Sequence, residues 1–330
     1  MSQASLAGFF ARIILIMGCF SVPSFSVQAG ADEDAWNVLQ KAAVAARALS
    51  YQGIFVCQTG RQSRAVQITH HFNGQNEFAR NVVLDGAPRE VLSQGGELVI
   101  YNPKNEKIVI EKRRGQNMFP AVLPLNLDAV KSNYMLRVLG NERMAGRQAQ
   151  ILSLVPKDGL RYSYKFWIDA DYGLILKSVM FNNRDEIMES IAFNQLTLVN
   201  NVDLDWFQPN IDHNKYYVME EEKAVVTDTN APAIWTIKEL PAGYRKVDQM
   251  MRMVQGKPYA ITHVIFSDGL ASVSLFIEPI PKGTKAKMTL NTSGNTSFYA
   301  NVNSGHLVTV VGEVPEATIV QIANAVVFKK

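Results

Sequence analysis

The chain has 330 residues, 47% of them hydrophobic, with a formal net charge of +3 and two cysteines. That length holds one large or two ordinary domains, and the composition is that of a globular protein, which excludes a disordered chain or a low-complexity repeat. A charge so close to balance gives no strong electrostatic pull towards nucleic acid.

The N-terminus reads as a targeting segment. Arg12 precedes the apolar run Ile13 to Phe20, and Val27-Gln28-Ala29 offers small residues for cleavage before Gly30, so residues 1–29 are expected to be a signal peptide. The run is too short to span a bilayer, which needs about 20 residues. Ile16-Met17-Gly18-Cys19 loosely resembles a lipobox, but the apolar stretch between Arg12 and the cysteine is very short for one. Cleavage after Ala29 removes Arg12 and Cys19. The net charge then falls from +3 to +2, and Cys57 has no intrachain disulfide partner.

Asp34 to Leu49 is expected to be an amphipathic helix, with Trp36, Leu39, Ala43 and Ala46 at helical spacing and Asp32, Glu33 and Asp34 near its start. Strand patterns follow at Tyr51–Gln58, Ala65–Phe72, Phe78–Leu84, Glu90–Leu92, Glu97–Tyr101 and Ile108–Glu111, with Asn73-Gly74, Asp85-Gly86 and Gly95-Gly96 as turns. Lys112 to Asn126 breaks this rhythm. It joins the basic cluster Lys112-Arg113-Arg114 to an apolar stretch, Met118 to Leu125, whose two prolines bar it from a central strand. It reads either as a lid over an apolar cavity or as a loop packed on the core. Leu127–Leu136 is expected to be a helix, and Arg137–Val155 a turn and a strand.

The next stretch has the clearest pattern. Tyr162, Tyr164, Phe166 and Ile168 alternate with Ser163, Lys165, Trp167 and Asp169, the two-residue period of a strand. Asp169 to Gly173 turns, Leu174–Phe181 returns, Asn182 to Asp185 turns again, and Ile187–Leu198 completes an antiparallel meander. Leu174–Phe181 is apolar on both sides, so both faces of the sheet are expected to be covered there. Residues 200–226, with Pro209 and Glu220-Glu221-Glu222, read as a boundary. Beyond it come strands at Ala233–Leu240, His263–Phe266, Ser272–Glu278, Lys287–Leu290, Phe298–Val302 and His306–Gly312, and a closing helix at Pro315–Val326. The fold class expected is mainly β (α+β): a large unit at 30–204, a linker at 205–230 and a small α+β domain at 231–330.

The chain has no glycine-rich phosphate loop, zinc-protease helix signature or nucleophile elbow. His70 and His71 are adjacent on a strand and point to opposite faces. His263 and His306 lie on separate strands without metal-ligand spacing. The reading is therefore a binding protein rather than an enzyme, with no catalytic residues, metal or cofactor. A convergent hydrolase remains the contrasting class.

At this point the residues resemble a known family. The first region carries Tyr51-Gln52-Gly53-Ile54-Phe55-Val56, Ala145-Gly146-Arg147, Arg161-Tyr162, Trp167-Ile168-Asp169, Gly173-Leu174 and Lys177-Ser178. The second carries Trp235, Leu240-Pro241-Ala242-Gly243-Tyr244, His263, the run Ser267 to Glu278, and Val311-Gly312-Glu313-Val314-Pro315. Over nearly the whole mature chain these resemble the RseB/MucB family, periplasmic regulators of the sigma-E (AlgU-type) envelope stress response. The run Ser267 to Glu278 is the most specific piece. Cys57 departs from the pattern, standing where the family often has an aromatic residue.

The resemblance implies a large unclosed β-barrel like that of the lipoprotein carriers LolA and LolB, with helices in its concavity, plus a small antiparallel-sheet domain with one helix. It implies a periplasmic protein that binds the periplasmic segment of a membrane-spanning anti-sigma factor of the RseA/MucA type. Binding would shield that segment from site-1 proteolysis, and lipopolysaccharide or lipoprotein acyl chains would release it. A concave apolar face suits acyl chains, since each buried CH₂ contributes about 0.8 kcal/mol. Candidate lining residues are Phe55, Phe119, Val122, Leu123, Phe166, Leu176 and Met180. Lys112, Arg113 and Arg114 are candidates for lipid phosphates or partner contacts. The alternative is a periplasmic lipid or lipoprotein carrier of LolA type, for which the second domain is superfluous. Homo-oligomer formation stays open.

Overall fold

The computed structural model describes residues 26–102, 107–112, 118–209, 217–221, 234–254, 257–280 and 288–329. Most of the expected signal peptide thus lies outside the described residues; its last four positions begin the first helix. Among the described residues no helix is long and apolar enough to cross a membrane.

The elements of the large unit are α1 (Ser26–Ala48), β1 (Tyr51–Thr59), β2 (Gln62–Phe72), β3 (Glu77–Val83), β4 (Glu90–Gln94), β5 (Glu97–Asn102), β6 (Lys107–Lys112), α2 (Asp128–Asn133), β7 (Tyr134–Met144), β8 (Arg147–Pro156), β9 (Ser163–Asp169), β10 (Ile175–Phe181), β11 (Ile187–Leu198) and β12 (Val218–Glu221). Those of the small unit are β13 (Trp235–Ile237), β14 (Arg245–Met253), β15 (Ala260–Ser267), β16 (Ser272–Pro279), β17 (Thr289–Ser293), β18 (Thr296–Asn303), β19 (His306–Gly312), α3 (Glu316–Asn324) and β20 (Val326–Phe328).

The large sheet runs β12-β6-β5-β4-β3-β2-β1-β11-β10-β9-β8-β7. It consists of two meanders joined where β1 pairs with β11, and its end strands β7 and β12 do not meet, so the barrel is unclosed. Its inner face is filled by α1. Leu39, Ala42, Ala43 and Ala46 of the helix are fully buried against Phe55, Ile68, Leu152, Leu154, Phe166 and Phe193. The run of alanines lets the helix axis approach the strands closely, and little of that face is left to solvent.

The meander forms as its alternation predicts. β10 has core on both faces, though the parity shifts at a bulge. The register slips between Ile175 and Lys177, so Ile175 joins the inner cluster. Leu176 and Val179 instead pack outward with Ala149 and Trp167.

Four expectations change. The helix expected over Leu127–Leu136 is only the six residues of α2, because Tyr134 already pairs with Pro156 as the first rung of β7. The closing helix ends at Asn324, and Val326–Phe328 pairs with β13 instead of extending it. β14 was not read as a strand. The stretch expected to be a linker holds a 3₁₀ turn, Leu204–Phe207, and β12, which pairs in parallel with β6.

The small sheet runs β14-β15-β16-β19-β18-β17. One face buries Val264, Phe266, Val273, Leu275, Ile277, Val308 and Val310 under Ile319 and Ile322 of α3. Its other face, with His263, Ile265, Ser274, Phe276 and Val311, turns towards the large unit.

Candidate functional site

Four of the predicted cavity residues meet on the inner face of the large sheet. Phe55, Phe119, Leu123 and Phe166 are all buried there, and Phe119 is wedged between Phe55 and Phe193, at ring-centroid distances of 5.1 and 5.0 Å. Val122 packs against the same cluster, half-buried. The apolar loop after β6 is thus seated inside the barrel. α1 fixes it from below: Arg47 donates to the carbonyls of Ala121 at 3.2 Å and Leu123 at 2.9 Å, and Gln40 to that of Leu125 at 2.8 Å. The space left under Met118 to Ala121, beside Tyr51, Ile68 and His70, is about 20 Å³, room for one water.

Met180 is buried and stands opposite Tyr164, but it is not part of the inner cluster. Leu176 does not join that cluster either, because the bulge sends it to the outer one. Arg113 and Arg114 lie outside the described residues. Lys112 ends β6 and lines a different space, the groove between the two units.

That groove has a volume of about 580 Å³. One wall is the exposed face of the small sheet, with Ile265, Phe276 and Val311 among Ser272, Ser274 and His263; the other brings Leu98, Glu111, Lys112 and Met118 from the large unit. Arg252 of β14 reaches Glu111 of β6 at 4.0 Å across it. His263 is stacked on Phe276 and bonded to Ser274 at 3.0 Å, while His306 stacks on Phe328, so the two histidines serve separate neighbours.

Beside the groove the two units are joined by a buried charge pair. Arg161 and Asp268 are both fully buried, with Nε donating to Oδ2 at 2.8 Å. Tyr134 donates to the same oxygen at 3.2 Å. The other carboxylate oxygen accepts the backbone N–H groups of Leu270 and Ala271. Arg161 also binds Asp158 and the carbonyl of Ala242, and its guanidinium lies over the Tyr244 ring. Each nitrogen of the guanidinium and each oxygen of the carboxylate thus has a partner, as a buried charge requires. Burial alone would lower the Arg161 guanidinium, but Asp158 and Asp268 outweigh it and raise its pKa. Burial, and then the charge of Asp268, push the phenols of Tyr134, Tyr164 and Tyr244 well above their ordinary range. The hydroxyl of Thr318 adds a bond to the Leu160 carbonyl at 2.7 Å.

Arg161-Tyr162, Leu240 to Tyr244 and Ser267 to Leu270 belong to the stretches that carry the family resemblance, and their sequence assigns them no task. The structure assembles all three at this junction. Gly243 has to be glycine, since its φ is +80° and a Cβ would fall 2.2 Å from the Asn133 side chain.

A second polar contact lies on the same lip of the large sheet. Asn295, in the turn between β17 and β18, donates to Glu189 of β11 at 3.4 Å and also bonds Glu313, which follows β19 and lines the groove. Burial, and then the charge of Glu313, raise the Glu189 carboxyl to about 7 against the opposing hydrogen bond from Thr59.

Two β-rich units, pinned by a buried ion pair and flanking an open groove that both of them wall, define a two-domain, mainly β protein. The chain belongs to the MucB/RseB family: the MucB/RseB N-terminal domain matches residues 34–211 and the C-terminal domain residues 229–327. The Sigma factor AlgU regulatory protein MucB of Pseudomonas aeruginosa is 28% identical over 319 residues, 95% of this chain and 96% of that protein. The Sigma-E factor regulatory protein RseB of Haemophilus influenzae is 25% identical over 304 residues, 92% of this chain and 94% of that one. Among solved structures, MucB in complex with MucA(peri) matches with a TM-score of 0.71 at 27% identity, covering 90% of this chain and all of that one. A crystal structure of MucB matches with a TM-score of 0.65 at 26% identity, over 90% of this chain and 98% of that one.

Proposed function

We propose that this protein is a periplasmic negative regulator of an envelope-stress sigma factor. It binds the periplasmic segment of a membrane-spanning anti-sigma factor in the groove between its units and so shields that segment from the site-1 protease. The observation that carries this reading is the groove itself. It is long enough to need both units, apolar at Ile265, Phe276 and Val311, and rimmed by charged Glu111, Lys112 and Arg252. An extended peptide fits such a surface, its apolar side chains in the centre and its backbone and charges at the rim. The likeness to MucB solved with MucA(peri) supports the same partner class.

Lipopolysaccharide or lipoprotein acyl chains act in this scheme as the releasing signal. If lipid favours one arrangement of the units and the anti-sigma segment another, each must weaken the other by the same factor. Calorimetry of the mature protein with the periplasmic segment of its own organism's anti-sigma factor tests this, with and without lipopolysaccharide. Binding that lipopolysaccharide weakens is expected. Absence of binding, with lipid still taken up and passed to acceptor membranes, would favour the carrier reading.

A further inference from the structure

Among the contacts that hold the small unit to the large sheet, two have unlike chemistry. The Arg161–Asp268 contact is an attraction between opposite charges. The contact two strands away is not. Glu189 belongs to the large unit and Glu313 to the small one, and Asn295, only 7% exposed, serves both carboxylates through one side-chain amide. A Cβ at the neighbouring Gly294 would touch the Thr59 methyl at 3.5 Å, so this turn is seated directly on the end of β1.

The groups packed around Glu189 are Thr59 and Cys57 of β1, Met180 of β10, Tyr164 of β9 and Glu313. Arg64 lies opposite Cys57 on β2, Glu316 acts on Tyr162 at the same seam, and Lys112, Glu111 and Arg252 stand further along the groove. None of those that bear on Glu189 itself is a cation.

We infer that Glu189 and Glu313 form a proton-gated latch between the two units. With a proton on Glu189 the Asn295 contact closes. With both carboxylates charged it opens, and the small unit turns about the Arg161–Asp268 pivot, changing the width of the groove. The inference deepens the groove reading and rests on it for its biological consequence, though not for its test. The sign follows from linkage. The joined state holds the Glu189 proton more tightly than a free carboxyl with its ordinary value of 4.5 does, so the latch is fully made below that value and is lost as pH rises through about 7.

The experiment uses the whole mature chain without any partner. Spin labels go at the exposed positions of Gln75→Cys and Asn303→Cys, in a background with Cys57→Ser, and their separation is measured from pH 5.5 to 8.5. We expect the distance distribution to change with a midpoint near 7. Glu189→Gln should hold the low-pH distribution throughout, and Glu313→Gln should move the midpoint down, because the repelling charge is gone while burial remains. A distribution that ignores pH in the labelled protein with Glu189 and Glu313 intact would overturn the latch, as would a Glu189→Gln protein that keeps the same midpoint. Neither result would bear on whether the groove binds an anti-sigma segment, which calorimetry at one pH decides separately.

Discussion

At Gly53 a Cβ would stand 2.5 Å from the carbonyl oxygen of Gln195 and 2.9 Å from the Phe193 ring, and the first of these is backbone that cannot step aside. Gly53→Ala is therefore expected to cost about 1–3 kcal/mol as an overpacked core position, read as a lower urea midpoint with an unchanged slope. Asp268→Ala should cost more, about 3–5 kcal/mol, because it strands the fully buried Arg161 guanidinium. Asp268→Asn keeps the shape and the acceptor for Leu270 and Ala271, so it should fall between that variant and the unsubstituted chain in the same titration. Gly53 and Asp268 both stand in stretches that carry the family resemblance, Asp268 in the most specific of them. Their tasks were not legible there, because each depends on a residue far away in the chain: Gln195 for the first, and Arg161, 107 positions earlier, for the second.

The loop that follows β6 shows what an element does when it cannot be a strand. Its two prolines kept it out of the sheet, as its sequence indicated, and its apolar side chains then had one dry place to go, the inner face beside α1. Which of the two readings of the loop applied was not legible, because the carbonyl acceptors of Arg47 and Gln40 carry no sequence signal. Phe119→Ala is expected to lose about 3–5 kcal/mol as a cavity opens between Phe55 and Phe193. It should also bind an apolar fluorescent probe more strongly than the unsubstituted chain; unchanged probe binding in a folded variant would mean that removing the ring opens no accessible apolar space. The sequence marks the bounds of β11 and β19 to the residue, and β19 alternates cleanly in burial. Pattern missed β14, where Arg245, Lys246 and Asp248 break the alternation around a register shift, and β20, whose Val326 continues the helical spacing of α3.

On the scale of the molecule, the function proposed depends on a surface to which neither unit contributes alone. Val311→Trp would fill the groove from the small-sheet wall without touching the core on the other face. It should weaken binding of the anti-sigma segment at least tenfold in calorimetry while the circular dichroism stays the same. Equal affinity would place the segment elsewhere. The two-unit division and the antiparallel meanders could be read from turn spacing and from the family resemblance. The joining of the two meanders into one large sheet could not, since β1 finds β11 across more than a hundred residues and nothing local announces the pairing.

β12 has a practical consequence for taking the molecule apart. It caps the outer margin of β6, where Ile108, Val109 and Ile110 follow one another, and Tyr217 just before it meets the Tyr101 hydroxyl at 2.9 Å. A fragment cut at Pro209 would uncover a row of unpaired amides and carbonyls along that strand, a template for self-association. A fragment carried on to Glu221 keeps its own cover. Preparations of the isolated large unit should therefore differ sharply in solubility over these dozen residues, so the shorter fragment is the wrong one for judging what the small unit adds to binding.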